Sequence, residues 1–144
     1  MENKNLFLTL QSVVLKITSE DVKNFLQLLD SNEMRILKQP QVGLLMMAAT
    51  DSFETDFYVG EILVTEAEVE YKGIVGYGMV IGQEPERALL ISILDAILRS
   101  NDVESINRIE KFLMQKQNEI AVSHEIEKRL IAKTKVSFEM MAKG

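Results

Sequence analysis

The stretch Phe57–Arg99 constrains the fold of this chain more than any other, because two strand-like runs lead there into one strongly apolar helix. Apolar and acidic residues alternate along Thr65–Tyr71, as in a strand that buries one face. Lys72-Gly73 supplies a turn, and Ile74–Ile81 follows as the expected partner strand. A helix then begins at Pro85, a residue type favoured in the first turn of helices. The sequence therefore predicts an antiparallel hairpin that leads into a helix.

The helix that follows Pro85 is apolar around roughly 200° of its circumference, whereas a surface helix shows a stripe of about 100°. Its apolar residues are Leu89, Leu90, Ile91, Ile93, Leu94, Ile97 and Leu98. Such a helix needs cover on most sides, so it lies either at the centre of this domain or against another chain. We favour the second arrangement, because a chain of 144 residues offers limited material for that cover. Leu90, Leu94 and Leu98 lie close together on the helix and form the predicted contact ridge.

The residues before this stretch predict two helices and two strands. Leu6–Lys16 has apolar residues at near-helical spacing, and Thr18 is a good N-cap for a second helix that stops at Asp30. These two helices form a predicted helical hairpin. Met34–Leu37 is a short strand candidate, and the continuous apolar run Val42–Ala49 predicts a strand that is buried on both faces.

The residues after the apolar helix predict two amphipathic helical segments and a last strand. Asp102 can cap the first segment, and the helical pattern resumes over Glu119–Lys133. Val136, Phe138 and Met140 alternate with other residues, which favours a short C-terminal strand. The 144 residues therefore predict one α+β domain: an N-terminal helical hairpin, an antiparallel β-meander, then long apolar and amphipathic helices with a short C-terminal strand.

The composition limits the functional classes that this chain can belong to. It has 22 acidic and 16 basic residues and a net charge of −6, which disfavours binding to nucleic acid and other polyanions. It has no cysteine, so it holds no disulfide or thiolate metal site. No apolar run approaches the roughly 18 residues of a membrane span, and the N-terminus lacks a signal-peptide pattern. We expect a cytoplasmic protein without a membrane partner.

Glycines just before the apolar helix invite comparison with a phosphate-binding loop. Gly76, Gly78 and Gly82 spell GxGxxxG, which is one residue longer than the dinucleotide fingerprint and contains strand-forming residues. Glycines inside a strand often mark a place where another backbone approaches closely. We therefore interpret Gly76 and Gly82, together with Gly60, as structural glycines.

The remaining polar candidates also have simpler structural interpretations. His124 is the only histidine, and we interpret it as a solvated helix position. Glu66, Glu68 and Glu70 alternate on one strand and are better explained as a solvated or edge-protecting face than as a metal site. Met46-Met47 suits a gap in the core or an adaptable interface, and both residues are interface candidates. The sequence thus predicts no catalytic, cofactor-binding or metal-binding residue in this chain.

Short motifs in the central stretch and its flanks point to a known family. They are Phe57-Tyr58-x-Gly60-Glu61, Gly76-Tyr77, Gly82, Ala88 and Asp95-Ala96, with Gly43 upstream and the tail Val136–Gly144. In this combination and order they resemble PhnG, a subunit of the bacterial carbon–phosphorus lyase system. The resemblance covers roughly Arg35 to Gly144.

This sequence departs from the family pattern at the entrance of the apolar helix. Gln83 and Glu84 stand where relatives commonly have an arginine and an aspartate, and Leu89 stands where they have an acidic residue. A contact that these polar groups make with substrate or partner in relatives is therefore not expected here. Arg87 lies where relatives often carry a basic residue, and it is a further interface candidate.

The resemblance implies a role inside a multi-subunit enzyme. PhnG-type subunits work with the H, I and L subunits, which together displace adenine from ATP with an alkylphosphonate and form a ribose 1-phosphonate 5-triphosphate. The J subunit later cleaves the carbon–phosphorus bond. We expect a non-catalytic or allosteric subunit of a homo- or hetero-oligomer, inactive alone, with ATP and Mg as substrate and ion of the assembled complex. The alternative is a stand-alone acidic, dimeric interaction or chaperone protein without enzymatic role.

Overall fold

The computed structural model describes the backbone of residues 2–29 and 31–142 and the side-chain surroundings of residues 4–29 and 32–135. A short 3-10 turn, Ser31–Glu33, separates two N-terminal helices from the sheet. The elements are α1 (Glu2–Lys16), α2 (Ser19–Leu28), β1 (Met34–Thr50), β2 (Asp56–Tyr71), β3 (Ile74–Ile81), α3 (Pro85–Ser100) and α4 (Val103–Ala142). The strands form an antiparallel sheet in the order β1-β2-β3. The predicted α+β class, helical hairpin and meander are confirmed.

The hairpin between β2 and β3 forms where its sequence predicts it. Tyr71 pairs with Ile74, and both turn residues, Lys72 and Gly73, have positive φ angles of 48° and 80°. Two positive φ angles give a turn whose twist matches that of the flanking strands. The alternating pattern also has its expected result, because Ala67, Val69 and Tyr71 on β2 are buried.

The first strand is longer and more exposed than its sequence suggests. β1 runs without interruption through Pro40, and its register against β2 shifts on both sides of Lys38. Such irregularities let an edge strand accept a proline, which has no amide hydrogen to donate. The prediction that Val42–Ala49 is buried on both faces is wrong. From Leu44 onward β1 extends beyond β3 and the helices, and the side chains of residues 42–49 are exposed or half-buried.

The apolar helix α3 lies at the centre of the molecule. It packs on β2 and β3, and α1, α2 and α4 cover its other sides. Leu90 and Leu94 are 0% exposed and Leu98 is 2% exposed. The expectation that another chain covers this helix is wrong, because the N-terminal hairpin and the first half of α4 supply the cover. The predicted contact ridge is therefore part of the core.

The last helix replaces three of the predicted elements. The two amphipathic segments form one continuous helix, and α4 continues to Ala142, so the prediction of a C-terminal strand is wrong. Val136 and Met140 are four residues apart, a spacing that fits one face of a helix as well as it fits strand alternation. No glycine or proline interrupts the sequence of α4. In the part of the chain that the structure describes, no helix has the length and apolar content to span a bilayer.

Candidate interaction surfaces

A two-stranded arm, formed by residues 44–63, projects beyond the rest of the sheet. β3 ends at the pair Ile81 and Val64, so the arm strands have only each other as neighbours among the described residues. Large apolar residues are exposed on both strands of the arm. They are Leu44, Leu45, Met46, Met47, Phe57, Tyr58, Val59 and Leu63. The interface candidates Met46 and Met47 lie in this set, and Met46 is 71% exposed.

The tip of the arm is an ordered loop. The Asp51 side chain accepts hydrogen bonds from the amide nitrogens of Phe53 and Thr55, each at 2.9 Å, and the Thr50 hydroxyl donates to Asp56 at 2.5 Å. Glu54 adopts a positive φ of 59°, which lets the loop close. Phe53 is held at the end of this loop with 86% of its surface exposed.

Gly60 marks an irregularity within the arm. Met47 pairs with Gly60 and Ala48 pairs with Tyr58, so β2 contains one extra residue between these pairs. Gly60 has a φ of 156°, and no atom of the described residues lies within 4 Å of the position that a Cβ would occupy. Gly60 therefore lies at a bulge, where its positive φ suits the backbone geometry.

The other two structural glycines lie where α3 meets the sheet. A Cβ on Gly76 would lie 2.6 Å from the amide nitrogen of Ala96, closer than real Cβ atoms come to other atoms. Gly82 has a φ of 92°, its amide donates to Leu63, and its carbonyl accepts from the buried Thr65 hydroxyl at 2.6 Å. α3 thus occupies the space beside Gly76, and β2 supplies the hydrogen-bond partners of Gly82.

The three glutamates of β2 lie on the solvent side of the sheet, as predicted. Glu66 accepts hydrogen bonds from the Lys38 ammonium and from the Tyr77 hydroxyl, the latter at 2.7 Å. The hydrogen bond from Lys38 is the main cause that lowers the pKa of Glu66, and the bond from Tyr77 is the second. The same Tyr77–Glu66 hydrogen bond raises the pKa of Tyr77. Glu70 pairs with Arg35. The carboxylates of Glu66 and Glu70 are thus occupied by neighbouring side chains. No metal-type group of three acidic or histidine side chains forms within the described residues.

A second polar cluster joins the β2–β3 turn to the start of α4. Asp102 accepts from the Tyr71 hydroxyl at 2.7 Å, from the Lys72 ammonium at 2.8 Å and from the Ser105 hydroxyl at 2.9 Å. Lys72, Tyr71 and Ser105 together hold the pKa of Asp102 well below its usual range. The same pairing, with help from Glu33, raises the pKa of Lys72. The sequence identifies Asp102 as a helix cap but does not indicate its partners Tyr71 and Lys72, which lie 31 and 30 positions away along the chain.

Two further candidates take structural or solvated positions. Arg87 is buried, and its guanidinium donates to the carbonyls of Val14 and Ile17, so this interface candidate is used within the chain. His124 is exposed on α4 with its Nδ1 atom 3.9 Å from Glu127, so its interpretation as a solvated helix position is confirmed.

The second half of α4 exposes another apolar surface. All residues from 121 to 135 are exposed, so this part of the helix extends beyond the core. Val122, Ile126 and Leu130 recur at intervals of four and form an apolar row with more than half of each side chain accessible. Sequence reasoning places apolar residues in this region but does not show that the core leaves them uncovered.

The fold and these surfaces define a small α+β protein whose polar clusters serve its own structure and whose apolar surfaces project from the core. The model of the family described as phosphonate metabolism protein PhnG matches residues 9–144. The chain belongs to this family, and it is a protein of phosphonate metabolism. A search of curated proteins found no match.

Proposed function

We propose that this chain is a non-catalytic or allosteric subunit of the carbon–phosphorus lyase system. In this role it supports the transfer of an alkylphosphonate onto the ribose C1 of ATP, with displacement of adenine, in a complex that contains the other lyase subunits. Membership of the PhnG family carries the proposal. The proposed location is the cytoplasm, where ATP is available.

The exposed apolar surfaces support a role as a subunit. Soluble monomers rarely expose contiguous apolar patches larger than a few hundred Å². This chain has two projecting elements with exposed apolar rows, the arm and the second half of α4. Both are explained if other chains cover them in an assembly.

The distribution of charge and polar contacts supports a role for this chain in contacts with partners, with substrate binding left mainly to the other subunits. The chain has a net charge of −6, whereas ATP and a phosphonate are both anionic. Partner subunits would therefore supply most of the cations that hold the substrates and Mg. Within this chain, Asp102, Glu66 and Arg87 form bonds that connect its own elements. We assign it contacts with partners rather than bond-making steps.

Reconstitution with and without this chain tests the proposal. Adenine release from ATP, dependent on an added alkylphosphonate, is measured for the chain alone, for the I, H and L subunits without it, and for the complete set. We expect adenine release to require the complete set of subunits or to be far faster with it. We also expect this chain to co-elute with its partners. Adenine release by the isolated chain, or full activity of the other subunits after its removal, would overturn the proposal. The second result would favour the chaperone alternative.

A further inference from the structure

We infer that the arm inserts into an apolar cleft of a different protein and that cationic side chains line the rim of this cleft. The receiving chain is not a second copy of this one. The inference rests on the proposed function in one respect, because it takes the receiving chain to be another subunit of the same assembly. Four observations on the arm support it: the course of its apolar faces, its open edge, its charge and its ordered tip.

The apolar faces of the arm continue the two faces of the sheet beyond the helices. Directly paired residues share a face, so Leu44 and Leu63 lie on the same side as the paired residues Val42 and Thr65. Thr65 is 0% exposed beneath the helical layer, whereas Leu44 is 64% exposed. The side of the sheet that α3 covers thus passes into solvent at the pair Leu44 and Leu63, and both of these side chains are apolar.

The outer edge of β1 is protected near the core but not in the arm. Edge strands avoid unwanted pairing through prolines, lysines and bulges. Lys38, Pro40 and the register shifts around them lie in the N-terminal part of β1, outside the arm. The sequence from 41 to 50, QVGLLMMAAT, has no proline and no charge. An isolated two-stranded hairpin is marginally stable in water, so an arm of this composition gains stability when another chain packs on it.

The charge of the arm indicates the chemistry of its partner. Residues 44–63 contain four acidic residues and no lysine, arginine or histidine. They are Asp51, Glu54, Asp56 and Glu61. Two arms pairing with each other would bring these like charges together, and each whole chain carries −6. Complementary potentials favour specific association, so the rim of the receiving cleft carries lysine or arginine and belongs to a different chain.

The tip supplies an aromatic side chain in a fixed position. Aromatic residues are frequent among the few that dominate binding energy, especially when they enter a pocket. The hydrogen bonds of Asp51 hold the loop that presents Phe53, so little conformational freedom is lost there on binding. We place Phe53 in the pocket of the partner and the exposed leucines and methionines along the walls of its cleft.

Binding of full-length variants to the co-expressed I, H and L subunits tests the inference. Phe53→Ala changes an exposed residue that makes no side-chain hydrogen bond, and Leu28→Ala changes a similarly exposed apolar residue on α2. We expect Phe53→Ala to raise the dissociation constant at least about tenfold and Leu28→Ala to leave it within about twofold. Equal thermal melting of all isolated variants verifies that the fold is retained. A further variant, E54K/E61K, should also weaken binding, with a smaller dependence on salt than the wild type shows.

The outcomes separate this inference from the proposed function. If the wild type binds the other subunits and the Phe53 and charge variants bind equally well, the inference is wrong and the function stands. If the charge variant instead promotes self-association, and cross-links join arm to arm, a second copy is the partner and the inference is also wrong. If the wild type binds none of the subunits, the proposed function fails and this inference fails with it. Selective loss of binding by both arm variants supports it.

Discussion

The Nη1 atom of Arg87 on α3 donates a hydrogen bond to the carbonyl oxygen of Ile17, 2.9 Å away, just beyond the end of α1. The same atom also donates to the carbonyl of Val14. Helix ends leave carbonyl groups without a partner inside the helix, and a cation is favourable near that end. The buried guanidinium of Arg87 therefore caps the C-terminal end of α1 and links the N-terminal helical hairpin to α3.

Replacing Arg87 with methionine should destabilise the isolated chain. The change leaves buried carbonyls without donors, and hydrogen bonds to charged groups contribute about 1.5–3 kcal/mol each. We expect the free energy of unfolding to fall by at least the contribution of one such bond, about 1.5–3 kcal/mol, in urea denaturation at neutral pH. Arg108→Met is the matched control, because Arg108 is exposed and forms a surface pair with Glu104. A similar small loss in both variants would contradict the capping role.

Alanine at Gly76 should be poorly tolerated. The added Cβ would lie 2.6 Å from the amide nitrogen of Ala96, so the sheet and α3 would have to separate. Overpacking of this kind typically costs about 1–3 kcal/mol. Gly43→Ala is the control within the same sheet, because its Cβ position has no neighbour within 4 Å among the residues that the structure describes. Thermal unfolding of the two variants should show a clear decrease in midpoint for Gly76→Ala only. Equal midpoints would show that α3 does not approach β3 this closely.

Truncation of Leu94 tests whether the chain itself covers α3. Leu94 is 0% exposed, and removal of a buried leucine side chain typically costs about 2–5 kcal/mol. We expect this loss in the chain without partners, measured by urea denaturation of Leu94→Ala. Leu130→Ala on the projecting part of α4 should stay within about 0.5 kcal/mol of wild type. An isolated Leu94→Ala chain as stable as wild type would restore the idea that a partner provides the cover.

The Asp102 cluster predicts a defined loss of stability in acid. The pKa of Asp102 is well below its usual range in the folded chain, whereas an unfolded aspartate has a pKa of about 3.9. The unfolded state therefore takes up the proton first as pH falls. The stabilisation from this carboxylate is present above about pH 4 and is lost as pH falls through the lower, folded-state pKa.

Comparison with Asp102→Asn measures that contribution. The variant should be less stable than wild type at pH 7, and the difference should shrink in urea denaturation at about pH 3 and again at about pH 2. The control is Glu104→Gln, which changes an exposed acid in the first turn of the same helix and should alter stability little. A difference that is constant from pH 7 to pH 2 would show that the lost bonds are not those of a charged Asp102.

Local signals in the sequence predict much of this fold, and long-range relationships account for what they miss. The alternation of Thr65–Tyr71, the turn at Lys72-Gly73 and the proline at the start of α3 each depend on a few neighbouring residues. The sequence of Val42–Ala49 is equally consistent with a strand inside a core and with an arm that leaves it. Which arrangement occurs depends on how far β3 and the helices extend along β1. The local sequence of Val42–Ala49 does not indicate how far they extend.

The same limit applies to the candidate surfaces. The wide apolar arc of α3 shows that the helix needs cover, but the cover comes from α1 and α2, far away in the sequence. The partners of Arg87 are backbone carbonyls. Because every residue has a backbone carbonyl, the sequence does not indicate which ones Arg87 contacts. Methionine suits a gap in the core as well as an adaptable interface, so the residue type of Met46 and Met47 does not indicate that both side chains are exposed.

The position of α3 has a consequence for the order in which the chain is made. The helical hairpin of α1 and α2 leaves the ribosome before the sheet, yet its buried residues Leu10, Val14 and Phe25 belong to the same core as a helix that follows the entire sheet. At about 5–20 residues per second, several seconds of translation separate the two. Throughout that interval the hairpin carries an apolar face with nothing to bury it. During synthesis the chain therefore completes its core only when α3 and the first turns of α4 have emerged.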